Sequence, residues 1–221
     1  MNLRVYPPDG RVRVSVPRWM SGPAVRAFLV TKLPWIRNKR AKFQSQAHLA
    51  PLSYVDGEHH DVWGQRYVLA VQERHARPVV TLGHGTLTLH VRPGSDARKR
   101  AEVVGRWYRG LVHEAVQQWL PQWEARLDVQ VQRVFVQQMK TRWGSCNTTR
   151  HTLRLNTELA KKPRKCLEYV LVHELVHLLE PSHNKRFFDL MDVHMPRWKD
   201  HQDVLHPSAL NHDRQASTET A

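Results

Sequence analysis

Two histidines and a glutamate have the spacing of a metal centre within the apolar segment from Tyr169 to Glu180, YVLVHELVHLLE. An α-helix completes a turn in about 3.6 residues. His173 and His177 therefore lie one turn apart on the same face, and two imidazole nitrogens can converge on one metal ion. Glu174, next to the first histidine, can reach a water molecule on that metal and act as a general base. The pattern predicts a metal centre that activates water.

A third metal ligand is expected just beyond this helix. Pro181 lacks an N–H and has a restricted φ, so the helix should end near Glu180 and the chain should turn there. His183, six residues after His177, would then complete a three-histidine site with a fourth position left for water. Glu180 could instead accept a hydrogen bond from a ligand histidine. The alternative third ligands are Glu180, Asp189 and His194.

A strand pair is predicted to lead into the metal helix. Between residues 129 and 156, apolar and polar residues alternate around a polar turn at about 147–150, which predicts an antiparallel hairpin. The edge of such a sheet can bind an extended substrate as a further strand. Trp143, Gly144 and Ser145 fall where a strand closes, and glycine there permits the close approach of another backbone. A core Trp143 and a bulge at Gly144 explain the same residues equally well.

The turns around the metal helix have predicted caps. Asn156, which follows LRL, is expected to cap the loop before the helix. Ser182 is expected to cap the helix that follows, NKRFFDLMDVHM.

The longest predicted helix spans Ala97 to about Leu127. Its apolar residues fall on one stripe, Asp96 is its expected N-cap, and Pro121 should break it. Because the stripe is rich in aromatic residues, the helix is interpreted as part of the core.

The N-terminal half shows β signals on both sides of a shorter helix. Residues 11–17, RVRVSVP, predict a half-exposed strand, and short runs between residues 54 and 91 predict a small antiparallel sheet. Residues 22–43 look helical, with a kink or break at Pro34. The predicted domains are a β-rich region at 1–95 that packs on a catalytic core at 96–205, followed by a flexible tail at 206–221.

The amino-acid composition limits which type of protein this is and which partners it can attract. The 221 residues carry a formal net charge of +14, which attracts polyanions such as nucleic acid or nucleotides. The basic run Lys161–Lys165 precedes the metal helix and could line the same cleft. Two cysteines are too few for a disulfide framework. No apolar run has the roughly 20 residues of a membrane span, and no signal-peptide core is visible, so a cytoplasmic protein with no membrane partner is expected.

Three segments together resemble the YgjP-like metallopeptidase domain family, which is related to the SprT-like and WLM metalloproteases. They are TRWGSCN, LRLNTEL and EYVLVHELVHLLEPSHNKRFFDLMDVHMPRW. The resemblance extends from about residue 20 to 205 and is most specific between Lys140 and Trp198. It implies a zincin-like α+β domain in which the RWGSC strand lies beside the active-site helix. It also implies that zinc is bound by His173, His177 and His183 and that Glu174 is the catalytic base.

This resemblance predicts a zinc metallopeptidase that acts on a peptide or protein. Zinc held by neutral imidazoles lowers the pKa of its water from 15.7 towards about 7 and polarises the peptide carbonyl. Glu174 takes the proton from the water and passes it to the leaving amine. The expected substrate-binding residues are Arg142, Trp143, Gly144 and Ser145, and the candidates for oxyanion stabilisation are Arg142, Ser145 and Tyr169.

Two other functions are compatible with the same motif. Some YgjP-like proteins are described as UTP pyrophosphatases, and a basic cleft would suit a triphosphate. The chain, however, has no Gly-rich phosphate loop and no carboxylate cluster of the kind that Mg²⁺ prefers. The other alternative is a nucleic-acid-associated protease, as among the SprT-like and WLM relatives.

Overall fold

The computed structural model describes residues 2–6, 11–17, 19–47 and 52–205. The predicted tail at 206–221 lies outside these residues. The fold is α+β, as predicted, and the chain forms two compact units, Met1–Leu52 and Ser53–Ala221. The strands between residues 54 and 91 thus group with the metal helix and not with the N-terminal strands.

The first unit is a two-stranded sheet followed by a helix. Strands β1 (Asn2–Tyr6) and β2 (Arg11–Ser15) pair antiparallel, and helix α1 spans Gly22–Ala47. The predicted break at Pro34 does not occur, because α1 continues through it. Pro34 is exposed, so solvent can bind the carbonyl that lacks its intrahelical donor.

The second unit begins with a four-stranded sheet whose spatial order is β3-β4-β6-β5. The outer pairs β3–β4 and β5–β6 are antiparallel hairpins, whereas the central strands β4 and β6 run parallel. Alternation in the sequence predicts strands but not their spatial order, so the parallel pair was not expected. The four strands are His59–Val62, Gln65–Glu73, Val79–Leu82 and Thr86–Val91.

Helix α2 spans Ala97–Leu127 and provides one wall of the core. The carboxylate of Asp96 accepts a hydrogen bond from the backbone N–H of Lys99 at 2.8 Å, which confirms the predicted N-cap. The helix continues through Pro121, which is exposed. The predicted break at Pro121 therefore does not occur. The buried face consists of Val103, Val104, Tyr108, Val112, Ala115, Val116, Trp123 and Leu127.

A three-stranded sheet with spatial order β7-β9-β8 supports the metal helix. The predicted hairpin is confirmed as β8 (Gly144–Asn147) paired antiparallel with β9 (Thr152–Asn156). The segment before it is not one strand, because residues 138–143 separate β8 from β7 (Arg133–Gln137), which pairs parallel with β9. The central strand β9 buries Leu153 and Leu155 completely.

Four helical segments complete the second unit. The 3-10 helix Thr157–Lys161 leads into α3 (Arg164–Val176), and α4 (Lys185–His194) and α5 (Trp198–Leu205) follow. Nine residues of α3 are buried, so the helix runs through the core. Among the described residues, no helix combines the length and the apolar character needed to cross a membrane.

The helix ends around the metal segment differ from two predictions. Helix α3 ends at Val176, with His177 as its C-cap, four residues before the predicted end. The cap of α4 is Asn184 and not Ser182, since the Asn184 side chain accepts a hydrogen bond from the Phe187 N–H at 3.1 Å. Both differences lengthen the turn that carries His183.

Candidate metal centre

Three histidine side chains converge at the C-terminal end of α3. The helix positions His173 and His177, and the turn before α4 contributes His183. One ring nitrogen from each lies within 4.8 Å of the other two, and the Nε2 atoms of His173 and His183 are 3.0 Å apart. The structure thus brings together the three residues that the sequence predicted as ligands.

A buried phenylalanine that was not predicted from the sequence packs against all three histidine rings. Phe187, from the first turn of α4, is fully buried. Its ring centroid lies 4.9 Å from that of His173 and 4.7 Å from those of His177 and His183. The F-F pair was visible in the sequence, but only the chain reversal between α3 and α4 places it against the histidines.

The histidines are held in forms suited to metal binding. Nδ1 of His177 lies 3.1 Å from the carbonyl oxygen of Glu180. An N–H donated there leaves Nε2 with a free lone pair. Burial, followed by the neighbouring His177 and His183, lowers the pKa of His173 to about 3, and burial also lowers that of His177. These two imidazoles are therefore neutral at neutral pH, as metal ligands must be.

The rival ligands have other roles. The carboxylate of Glu180 accepts hydrogen bonds from the N–H and hydroxyl of Ser182 and closes the turn, so its backbone rather than its side chain supports His177. Asp189 pairs with Lys185 at 2.7 Å. Within the part of the chain that the structure describes, neither these two carboxylates nor His194 joins the histidine cluster.

Glu174 is part of α3, and its side chain lies against strand β8. It is only 6% exposed, and burial raises its pKa to about 8. The positive charge of Arg142 and a hydrogen bond donated by the backbone N–H of Cys146 act in the opposite direction. With its pKa raised, the carboxylate of Glu174 is a stronger base than that of an exposed glutamate.

Gly144 is required by the close approach of Glu174. A Cβ built at Gly144 would lie 2.5 Å from Oε1 and 2.8 Å from Cγ of Glu174, and 2.8 Å from Cγ1 of Val170. Gly144 pairs in regular register with Leu155, so it forms no bulge. The glycine thus accommodates the side chain of Glu174.

The other three predicted substrate-binding residues have different surroundings. Arg142 is exposed and its charge acts on Glu174. Trp143 is partly buried against the core, and its carbonyl accepts a hydrogen bond from the Asn156 N–H at 2.9 Å. Ser145 lies between Gly144 and Cys146 in β8. Because side chains alternate along a strand, the Ser145 side chain points to the face opposite that of Gly144 and Cys146.

Asn156 does more than cap the loop before the helix. Its side-chain amide donates hydrogen bonds to the carbonyls of Met139 and Arg142, both at 2.8 Å, and its Oδ1 accepts from the N–H groups of Met139 and Glu158. Asn156 is 4% exposed. It thereby holds residues 139–142 in the course that leads into β8.

Tyr169 contacts the metal helix from one turn before the first ligand. Its ring packs edge-on against His173 and stacks on Trp198, with centroid distances of 5.8 and 6.2 Å. Burial raises the pKa of its hydroxyl to about 12, although a hydrogen bond with Gln202 lowers it. Tyr169 therefore remains protonated, and its hydroxyl is a neutral hydrogen-bonding group.

Comparison with known proteins identifies the class to which this centre belongs. The model of the YgjP-like metallopeptidase domain matches residues 1–208. The chain belongs to the YgjP-like metallopeptidase domain family. It is therefore a metal-dependent hydrolase of the metallopeptidase class, and the three-histidine cluster is its candidate metal site. No curated protein sequence matches the chain.

Two solved metallopeptidase zymogens resemble part of this YgjP-like chain. Abylysin from Pyrococcus abyssi is 21% identical, with a TM-score of 0.39, over 43% of this chain and 95% of its own. Jannalysin from Methanocaldococcus jannaschii is 20% identical, with a TM-score of 0.34, over 41% of this chain and 83% of its own.

Proposed function

We propose that this protein is a zinc-dependent metallopeptidase in which Glu174 is the general base. The observation that supports this most directly is the convergence of three histidine nitrogens at the end of α3, the helix that also carries the buried Glu174. Three imidazole ligands with an open fourth position are the arrangement of catalytic zinc sites.

His173, His177 and His183 would hold the ion. The donor set fits zinc, since imidazole nitrogens suit this metal and the two most buried rings are neutral. When bound, zinc supplies Lewis acidity, which polarises a peptide carbonyl and increases the acidity of a water molecule. Phe187 excludes solvent from the opposite side of the three rings.

Glu174 would move the proton. Its carboxylate accepts the proton of the attacking water and then transfers it to the nitrogen of the leaving amine. Burial makes it a stronger base. Because Gly144 has no side chain, the carboxylate can lie directly against β8.

Strand β8 would bind the substrate. It pairs with β9 on one side and is an edge strand of its sheet, so an extended peptide can add to its outer edge through backbone hydrogen bonds. Gly144 and Ser145 belong to this strand, and Arg142 and Trp143 immediately precede it. Arg142 would bring positive charge close to the oxyanion that forms as the carbonyl is attacked.

The test is an activity screen of the zinc-loaded protein against fluorogenic peptides, casein and nucleoside triphosphates. We expect peptide cleavage that a chelator abolishes and zinc restores. Glu174→Gln should retain zinc but lose about 10²–10⁴-fold in kcat, the usual contribution of a general base.

Glu168→Gln is the matched control, because Glu168 is on the same helix and pairs with Lys165 away from the cluster. Its activity should remain close to that of the wild type. Release of pyrophosphate from UTP without any proteolysis would overturn the proposal, as would full peptidase activity of Glu174→Gln.

A further inference from the structure

Positive charge is concentrated in the first compact unit. Residues 1–52 contain ten lysines and arginines and one acidic residue, Asp9, whereas residues 53–221 contain 24 basic and 19 acidic residues. A charge distribution this one-sided attracts polyanions and opposes compaction through self-repulsion. The first unit therefore carries most of the net charge although it contains none of the histidine cluster.

The β1–β2 ribbon presents part of this charge on one face. Its register places Arg4 directly opposite Arg13 and Tyr6 directly opposite Arg11. Because side chains alternate along a strand, these four share one face, and all four are exposed. We call them the arginine face. The other face carries Leu3, Val5, Val12 and Val14, of which all four are half-buried.

The arginine face destabilises the β1–β2 ribbon when no anion is bound. Like charges directly opposite each other destabilise an antiparallel pair, and a two-stranded sheet is only marginally stable. Among the described residues, no acidic side chain forms an ion pair with Arg4 or Arg13. A bound anion would turn this repulsion into a favourable interaction.

The chemistry and shape of the face select a phosphate polymer. Guanidinium groups bind phosphate through two parallel hydrogen bonds. The strands of a ribbon are about 4.8 Å apart and same-face residues about 6.8 Å apart. Such a ribbon fits the B-DNA major groove, which is about 12 Å wide, but not the narrow major groove of A-form RNA.

We propose that the arginine face binds the phosphate backbone of duplex DNA, with the β1–β2 ribbon in the major groove. The interaction involves phosphates and is therefore largely independent of base sequence. It goes beyond the proposed peptidase activity and does not depend on it.

An anionic lipid surface fits the first unit less well. A helix that lies on a membrane separates a charged face from an apolar one. On α1, Lys32 stands one turn from both Phe28 and Ile36, and its Nζ lies 5.9 Å from the centre of the Phe28 ring. The cation is therefore within the apolar stripe.

The test measures binding of the full-length, zinc-loaded protein to a short fluorescent DNA duplex between about 50 and 200 mM salt. The variant is the double substitution Arg4→Gln/Arg13→Gln. The control is Arg74→Gln/Arg77→Gln, which removes the same charge from exposed positions between β4 and β5. Duplex RNA and phosphatidylserine vesicles are the competing ligands.

We expect the Arg4/Arg13 variant to lose at least about tenfold in affinity at 0.1 M salt. The slope of log K against log salt should fall by about 1.8, or 0.9 for each of two lost phosphate contacts. The control should change affinity less than about threefold. Equal losses in the two variants, or tighter binding to RNA or vesicles than to DNA, would refute the proposal.

A charge-retaining variant distinguishes loss of the phosphate contact from misfolding of the ribbon. Arg4→Lys/Arg13→Lys keeps the charge but loses the planar guanidinium, so binding should weaken about threefold or more. Binding equal to that of the wild type would refute the guanidinium–phosphate contact. Cleavage of small peptides should be unchanged in every arginine variant, so failure of this proposal can be distinguished from failure of the peptidase proposal.

Discussion

The metal centre and the arginine face use ionisable side chains in opposite ways. At the centre, burial lowers the pKa of His173 and raises that of Glu174, so that the metal-free site favours neutral groups. On the β1–β2 ribbon, Arg4 and Arg13 are exposed and opposite each other. Desolvation penalises the charged form of a group, whereas exposure preserves it. The two regions are therefore suited to different partners, a metal ion in one and a polyanion in the other.

The strongest test of this contrast is removal of one half-buried histidine of the cluster. We expect His177→Ala to lose most zinc binding and at least about 10³-fold in peptidase activity, because two ligands cannot maintain the site. Zinc content by mass spectrometry and kcat/KM are the measurements. His194→Ala is the control and should retain both, and loss of zinc from that variant instead would mean that the ligand set is wrong.

Disruption of the close contact between Gly144 and Glu174 is expected to have the next largest effect. A methyl group at position 144 must displace the carboxylate or the strand, so Gly144→Ala should lower kcat about 10–10³-fold with little change in zinc affinity. Gly105→Ala is the matched control. A Cβ there has open space, and the substitution should stabilise α2 by up to about 1 kcal/mol. Unchanged kcat in Gly144→Ala would show that the base does not depend on this contact.

The pH dependence of stability tests the burial of Glu174. Its pKa is raised from 4.5 to about 8 in the folded, metal-free protein. Wild-type stability should therefore match that of Glu174→Gln below pH 4.5 and fall behind it as the pH rises towards 8. The difference should be on the order of a few kcal/mol and is measured by thermal unfolding with a chelator present. A difference that grows towards acid pH would contradict the burial argument.

The smallest expected effect concerns the ribbon. If Arg4 and Arg13 only repel each other in the free protein, Arg13→Gln should stabilise the β1–β2 pair by about 0.2–1 kcal/mol. Hydrogen exchange of the Val5 and Val12 amides measures this local stability. Slower exchange in the variant would support the contrast between the two regions, and faster exchange would mean that the arginines stabilise the ribbon.

Local patterns were sufficient to predict most elements of the fold. Helix α2 has the predicted bounds and the Asp96 cap, because amphipathic spacing and capping act over only a few residues. The hairpin β8–β9 was predicted from alternation and a polar turn in the same way. The parallel pairing of β4 with β6 and of β7 with β9 was not predicted, since strand order depends on contacts between distant segments.

The same division holds within the candidate site. His173, Glu174, His177 and His183 were predicted as candidates from the sequence, because helical spacing and the Pro181 turn act locally. Only the tertiary structure placed Phe187 behind the three rings, Asn156 against residues 139–142, and Gly144 under the side chain of Glu174. These contacts join residues that are far apart in the chain or on different elements. Their geometry results from packing, which the spacing of residues along a single helix or strand does not specify.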